Sequence, residues 1–536
     1  MIASTMQRVP LSLNALLERA GRLFPWSEIV SRRPDRSLVR HRFADFYRRA
    51  RALAAALRAA GLAKGERVAT LCWNHHVHLE CYFGVPAAGG VLHTLNLRLA
   101  PEELGWIAAH AEDRFLVVDD VLLPVYEGLR DRHRFERVFV YAFSGAPVPA
   151  PYEDYEAFVG GGDPDSFRYA VHEEDDPVAM CYTSGTTGRP KGVVYSHRST
   201  VLHTLVANQP DCWGLSAADS VLPATPMFHA NCWGVPYACA MMGVRLVFPG
   251  PHLQPEDLLD LIVAERPTYV LGVPTVWLSM LQALEAHPGR WRLPEGIRML
   301  VGGAPVPEAL IRGYRRHGAI VCHGWGMTEM SPLGTLSYLK PELQGLEEEA
   351  RIARYATAGV PVPLVELRIA NEEGRAQPWD GEHVGEIQVR GPFITGRYHA
   401  EQPDPARFTA DGWLRTGDVA SVDAHGYVRI RDRLKDLVKS GGEWISSVDM
   451  ENLLMAHPAV AEAAVIAVPD AKWGERPLAC VVLRPGAQAS PEELRAHLAR
   501  RFARWQLPER IEYLDAIPRT STGKFWKAKL RERYRG

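Results

Sequence analysis

Two hydrophobic periods alternate along the first 330 residues. Short continuous apolar runs, ERVATLC, FLVVDD, RVFVYA, SVLPATP, VRLVFPG, TYVLGVP and RMLVGGA, read as buried strands. Between them lie stretches of helical period: Arg48 to Ala60, which stops at Gly61, a segment near His76 to Ala87, and the runs PEDLLDLIVAERP and PEALIRGYRRHG. This alternation predicts α/β layers built on largely parallel sheets. From about 358 to 432 the pattern changes to short alternating strands, LVELRIA, GEIQVRG and YVRIRD, with NEEG and DAHG turns, which predicts an antiparallel, barrel-like subdomain. After Asp432 the order helix SSVDMENLLMAH, strands AEAAVIAV and PLACVVL, helix PEELRAHLARRFARW predicts a small α+β domain.

Composition narrows the class. With 536 residues, 47% of them hydrophobic and 23% charged, the chain can build at least two cores and is neither disordered nor fibrous. A formal net charge of −2 gives no general attraction to nucleic acid or to an anionic membrane. No apolar run approaches the roughly 18 residues of a spanning helix, and the start MIASTMQRVPLSLNALL lacks the charged and apolar regions of a signal peptide. The end, RERYRG, carries no lipidation or address signal. Eight cysteines without a CxxC pair predict free thiols and a cytoplasmic location.

Charge is uneven along the chain. Residues 433–536 hold 18 basic and 13 acidic side chains, which suits a phosphate-rich ligand and a solvated surface equally well. Only nine of the 61 basic residues are lysine. Coding bias accounts for that, as does retention of lysine where a compact ammonium matters.

Four motifs carry chemistry. YTSGTTGRPKGV, Tyr182 to Val193, follows the apolar strand PVAMC. Its small and hydroxyl-bearing residues let the backbone approach an anion, with Lys191 adding a point charge. The spacing is not that of the Walker loop, which needs Lys directly after the last Gly. CHGWGMTE, Cys322 to Glu329, sets an indole between two glycines and then a hydroxyl and a carboxylate. That combination offers a stacking face for a base and hard oxygen donors for Mg²⁺, although a Trp between glycines also serves packing. RTGD, Arg415 to Asp418, places a carboxylate after a tight Gly turn, where it can accept from two ribose hydroxyls. It is followed by the dense basic stretch DRLKDLVKSGGEWI, which otherwise reads as solvated strand and turn. PRTSTGKFWKAK, Pro518 to Lys529, puts a Gly-Lys in a polar loop. Asn74-His75-His76-Val77-His78 invites a zinc reading, but no carboxylate or Cys pattern accompanies it, and helix-face histidines are predicted instead.

With these four motifs in this order, nearly the whole chain resembles the adenylate-forming enzymes. That superfamily comprises acyl- and aryl-CoA synthetases, peptide-synthetase adenylation domains and beetle luciferases. PMFHANCWGVPYA, PTVWLSML and KSGGEWISSVDMENLLMAHPAV look closest to bacterial fatty acyl-CoA synthetases. The resemblance implies a large N-terminal domain, 1–432, a hinge, and a mobile C-terminal domain, 433–536, with the active site between them.

Residue by residue, the resemblance implies that Thr183 and Glu329 bind Mg²⁺. Ser184, Gly185, Thr186, Thr187 and Lys191 would hold phosphates, and Gly303, His323, Gly324, Trp325 and Thr328 would surround AMP. Asp418 would take the ribose, with Arg433 nearby. Lys435 falls at the hinge, Lys439 and Trp444 on the nucleotide or CoA side, and Lys524 at the adenylation lysine. His229 would lie near the acyl-adenylate and Trp233 at the mouth of an acyl tunnel. Trp325 stands where many relatives have Tyr, which keeps a stacking face and loses a hydroxyl; His323 stands where Gln is frequent.

The function implied is an ATP-dependent fatty acid–CoA ligase acting through an acyl-adenylate. Its substrates would be a medium- to long-chain carboxylate, ATP and CoA, with Mg²⁺, and it would be a homodimer that binds no nucleic acid. Ligation of a short, thioether or aryl acid, or loading of a carrier protein, stands as the alternative.

Overall fold

The apolar segment Arg67–Leu71, buried at four of its five positions, is an inner strand of a seven-stranded sheet. Its order is Glu153–Asp154, Arg137–Tyr141, Asp113–Asp119, Arg67–Leu71, Val91–Thr94, Pro177–Tyr182, Gly192–Ser196. Neighbours run parallel until the last pair, which is antiparallel. Parallel neighbours need crossovers, supplied here by the helices His76–Ala88, Pro101–Ala111 and Leu123–Leu129. The first of these is buried at every position, its polar members included: His78 pairs with Thr70 and Glu80 with Arg49. The computed structural model describes residues 4–183, 189–440, 443–520 and 523–534.

The chain forms two compact units. One comprises Met1–Leu271, Met327–Leu333 and Pro392–Pro403; the other comprises Gly272–Gly326, Gly334–Gly391 and Asp404–Gly536. Besides the sheet above, the first unit pairs Ser220–Pro223, Arg245–Phe248, Glu28–Arg32 and Leu38–Arg42 in that order, the last pair antiparallel. The helix read from Arg48 begins earlier, at Phe43, and ends at Ala59 before Gly61, whose φ is +84°.

In the second unit Arg298–Gly302 pairs in parallel with Ile320–Gly326, Gly302 opposite Gly324. The β-rich stretch is a four-stranded antiparallel sheet of Glu366–Ala370, Gly385–Arg390, Leu414–Val422 and Val428–Arg433. RTGD lies inside its third strand. Register passes from Gln388 opposite Arg415 to Glu386 opposite Val419, so Gly417, with φ +75°, sits in a bulge rather than a free turn.

A further sheet orders Glu443–Ile445, Val438–Ser440, Gly474–Leu483 and Val460–Asp470, with Arg510–Tyr513 parallel to Gly474–Leu483. Its core gathers Val438, Ile445, Met450, Leu454, Val465, Leu494 and Leu498. The helix expected to run to Trp505 stops at Leu498. Continued, it would stack Arg500 on Arg504 one turn apart, an unfavourable like-charge spacing.

Candidate functional site

In the first unit the loop after Tyr182 is the tip of an antiparallel hairpin, Pro177–Tyr182 with Gly192–Ser196. Ser184, Gly185, Thr186 and Thr187 lie outside the described residues. The neck of the loop is closed from both sides. Thr183 N donates to Lys191 O at 2.9 Å, and Lys191 N donates to Thr183 Oγ1 at 3.2 Å. The Lys191 ammonium lies 2.9 Å from Glu401 Oε2 and 4.7 Å from the Tyr398 ring centroid.

The same tyrosine reaches the second motif. Thr328–Met330 is a single helical turn, and within it the buried Glu329 accepts from the Tyr398 hydroxyl at 2.7 Å. Thr328 O accepts from the Tyr195 hydroxyl at 2.7 Å. Lys191 and Glu329, 138 positions apart in sequence, are therefore linked through Tyr398. Neither Tyr398 nor Glu401 stood out in the sequence; the one available signal was an aromatic followed by an acid between two strand patterns, which is commonplace.

His229 precedes an unusual stretch of backbone, and Trp233 lies within it. Ala230, Asn231, Cys232, Trp233 and Gly234 all have positive φ, from 43° to 81°, a left-handed turn that costs side-chain-bearing residues of order 1 kcal/mol or more each. Asn231 anchors it. Its Oδ1 accepts from the Cys181 thiol at 2.7 Å, and its Nδ2 donates to the Tyr237 oxygen at 2.8 Å. Trp233 is buried. Gly234 is required here, because a Cβ would meet His203 Cε1 at 2.9 Å.

In the second unit the Trp325 indole N–H donates to Asp418 Oδ2 at 2.8 Å, while Arg433 Nε lies 3.0 Å from Asp418 Oδ1. Asp418 and Arg433 are cross-strand partners. His323 sets Nδ1 3.2 Å from Ala356 O, and burial pushes its pKa down to about 4, so the ring is neutral at physiological pH. Gly324, beside it, is the register partner of Gly302.

Lys524 lies along Gly303. A Cβ on Gly303, whose φ is +85°, would stand 3.3 Å from Lys524 Cε. The preceding Gly523 O accepts from Thr275 Oγ1 at 3.0 Å, and a cavity of about 50 Å³ lined by Thr275, Ala304, Asn452 and Lys524 adjoins them. Lys439 and Trp444 are cross-strand partners with the ammonium 4.9 Å from the ring centroid. Partial desolvation, helped by Arg433, lowers the Lys435 pKa.

One lysine was missed. Lys527 Nζ lies 2.7 Å from Glu451 Oε1 and 2.5 Å from Ser447 Oγ, and Ser447 N donates to Asp432 Oδ2 at 2.8 Å. Burial works against its charge, but Glu451, Asp432 and Asp436 outweigh that and raise its pKa. Burial in turn pushes Glu451 up to about 7. Its signal in the sequence was the scarcity of lysine itself.

The histidines at 75, 76 and 78 are not on an open helix face: all three are buried. Nor is the cluster without a carboxylate or Cys, since ligand atoms of Cys72, His75 and Asp119 lie within 4.8 Å of one another. The group is nonetheless satisfied. His75 Nδ1 accepts from His78 N and its Nε2 is 2.8 Å from Asp119 Oδ1, leaving no ring nitrogen for a metal.

The family model for AMP-binding enzymes matches residues 24–399, and that for the AMP-binding enzyme C-terminal domain matches residues 449–524. A long-chain-fatty-acid–CoA ligase of Thermus thermophilus is 48% identical over 542 residues, covering 99% of this chain and 97% of its own. A 3-methylmercaptopropionyl-CoA ligase of Ruegeria pomeroyi is 44% identical, covering 99% and 98%. An anthranilate CoA ligase solved in complex with anthranoyl-AMP matches with a TM-score of 0.87 at 25% identity, 98% of each chain covered. Motifs in order, a carboxylate–indole pair and matches along almost the whole length agree: the chain belongs to the AMP-binding enzyme family.

Proposed function

We propose that this enzyme is an acyl-CoA synthetase that joins a medium- to long-chain fatty acid to CoA at the expense of ATP. The observation that carries this reading is the 48% identity to a long-chain-fatty-acid–CoA ligase over 99% of the chain. A carboxylate oxygen attacks the α-phosphorus of ATP and the bond to the β-phosphate oxygen breaks, releasing pyrophosphate. The CoA thiol, losing its proton, then attacks the carbonyl carbon of the acyl-adenylate, and AMP leaves with the bonding pair.

The chain's own groups fit those steps. Lys191 and Lys524 offset the charge that builds as two anions approach. Asp418, its oxygens oriented by Trp325 and Arg433, would accept from ribose hydroxyls, and neutral His323 and the Trp325 ring would border the base. Glu329 and Thr183 offer a carboxylate and a hydroxyl, hard oxygen donors that fit Mg²⁺; the bound ion would neutralise phosphate charge as a Lewis acid. Two half-reactions at one centre need different surroundings, which a turn of the C-terminal segment about Asp432–Lys435 would provide.

Acyl length is set where Trp233 and the left-handed turn stand, because each buried methylene is worth about 0.8 kcal/mol. Identity of 44% to a 3-methylmercaptopropionyl-CoA ligase favours a short thioether acid as the second reading. We further propose a cytoplasmic location, supported by eight free thiols, and a homodimer, as the resemblance implies; among the described residues no helix is long and apolar enough to cross a membrane. Pyrophosphate release with CoA across C4 to C18, thioether and aryl acids tests the substrate, and light scattering tests the dimer. Release with no acid, or release that does not need CoA for turnover, defeats the reading.

A further inference from the structure

The segment Pro392–Pro403 belongs to the first unit although the chain on both sides of it belongs to the second. It is pinned at three points. Thr395 N donates to Glu329 O at 2.8 Å, His399 N donates to Gly192 O at 2.8 Å, and Ser331 Oγ donates to Phe393 O at 2.8 Å. Two of these anchors flank the motif residues themselves: Glu329, and Gly192 next to Lys191. Between them lies Tyr398, 3% exposed, with its hydroxyl 2.7 Å from Glu329 Oε1 and its ring 4.7 Å from Lys191 Nζ.

We propose that Tyr398 is a positioning residue that sets the Glu329 carboxylate and the Lys191 ammonium together, so that metal and phosphate meet one prearranged pair. A carboxylate free to rotate about its last bond presents either oxygen at any angle. A phenol donating to Oε1 fixes that rotation, and partners of this kind orient the groups that hold a metal. The ring face attracts the ammonium electrostatically and limits where the flexible lysine stem points. Glu401 supplies the counter-charge. Its contact with Lys191 is about one-third exposed on each side, and a pair so screened is weak enough for a phosphate to displace.

This inference rests on the reading that Glu329 and Lys191 serve Mg²⁺ and ATP phosphates. The test uses the full-length enzyme as wild type, Tyr398→Phe, Tyr398→Leu, Glu401→Gln and Glu329→Gln. Calorimetry measures binding of a non-hydrolysable ATP analogue as Mg²⁺ is varied, and pyrophosphate release gives KM for ATP and for the acid.

Tyr398→Phe removes only the hydroxyl. Its analogue affinity should fall about tenfold, as for loss of a hydrogen bond to a charged group, with the Mg²⁺ midpoint raised and KM for the acid unchanged. Tyr398→Leu should lose more, because Lys191 also loses its ring. Glu401→Gln should tighten analogue binding without moving the Mg²⁺ midpoint. A wild-type Mg²⁺ titration in Tyr398→Phe, beside a shifted one in Glu329→Gln, overturns the proposal and leaves the function standing. An unshifted Glu329→Gln overturns the proposal together with the reading of Glu329 as a metal donor. Should Tyr398→Leu melt early, Tyr398→Phe, which keeps the packed ring, decides.

Discussion

The indole N–H of Trp325 donates to Asp418 Oδ2 across 2.8 Å, joining residues 93 positions apart. The tryptophan looked like a stacking face that had given up a hydroxyl. In the fold it is also a donor that leaves one Asp418 oxygen oriented by an indole and the other by Arg433. Trp325→Phe keeps a ring and removes that donor. A hydrogen bond to a charged group is worth about 1.5–3 kcal/mol, so KM for ATP should rise about tenfold while KM for the fatty acid stays put. Equal changes in both constants would mean that Trp325 is packing alone.

Lys524→Ala should abolish acyl-adenylate formation and spare thioester formation from supplied acyl-adenylate. The missing ammonium no longer offsets charge at the α-phosphate, a loss of about 3–4 kcal/mol for a contact of this kind. Single-turnover measurement of the two half-reactions checks it. Equal loss in both would falsify the assignment.

Trp233→Ala should flatten the dependence of kcat/KM on acyl length between C4 and C18 and leave ATP affinity near wild type. Asn231→Ala should do the same more weakly, since the left-handed turn loses its anchors to Cys181 and Tyr237 while Trp233 remains. Parallel length profiles with a uniform drop make both residues structural.

Glu451 gives a pH signature. Its folded pKa is pushed up to about 7 by burial, against an ordinary value of 4.5. Between those values the folded form keeps a proton that the unfolded chain has lost, so stability falls as pH rises from about 4.5 to 7. At about 1.4 kcal/mol per pKa unit the change is roughly 3–4 kcal/mol. Glu451→Gln should remove that slope from urea melts taken at pH 5, 6 and 7. A slope unchanged in the variant assigns it to other groups.

Local patterns were legible wherever one property decided the outcome. Apolar runs became strands, and the helix before Gly61 ended where its φ of +84° suits only glycine well. Period and backbone freedom are properties of neighbouring residues, so a linear reading finds them. RTGD misled for the same reason. Gly-Asp signals a turn locally, and only pairing with Gly385–Arg390 makes it a bulge within a strand.

What only the tertiary structure decided were pairings between distant residues whose types carry no signal alone. Tyr398 joins Lys191 to Glu329 because the segment 392–403 returns to the first unit. Cys72 and Asp119 meet because adjacent parallel strands end side by side, and His75 caps the helix that follows. Lys527 is seated among three acids, where nothing nearby in sequence would place it. The left-handed run 230–234 is the extreme case: four side-chain-bearing residues hold a conformation each disfavours by itself. They hold it because hydrogen bonds from Cys181 and to Tyr237 over-determine the turn. Such energies belong to contacts, and contacts exist only once the chain has folded.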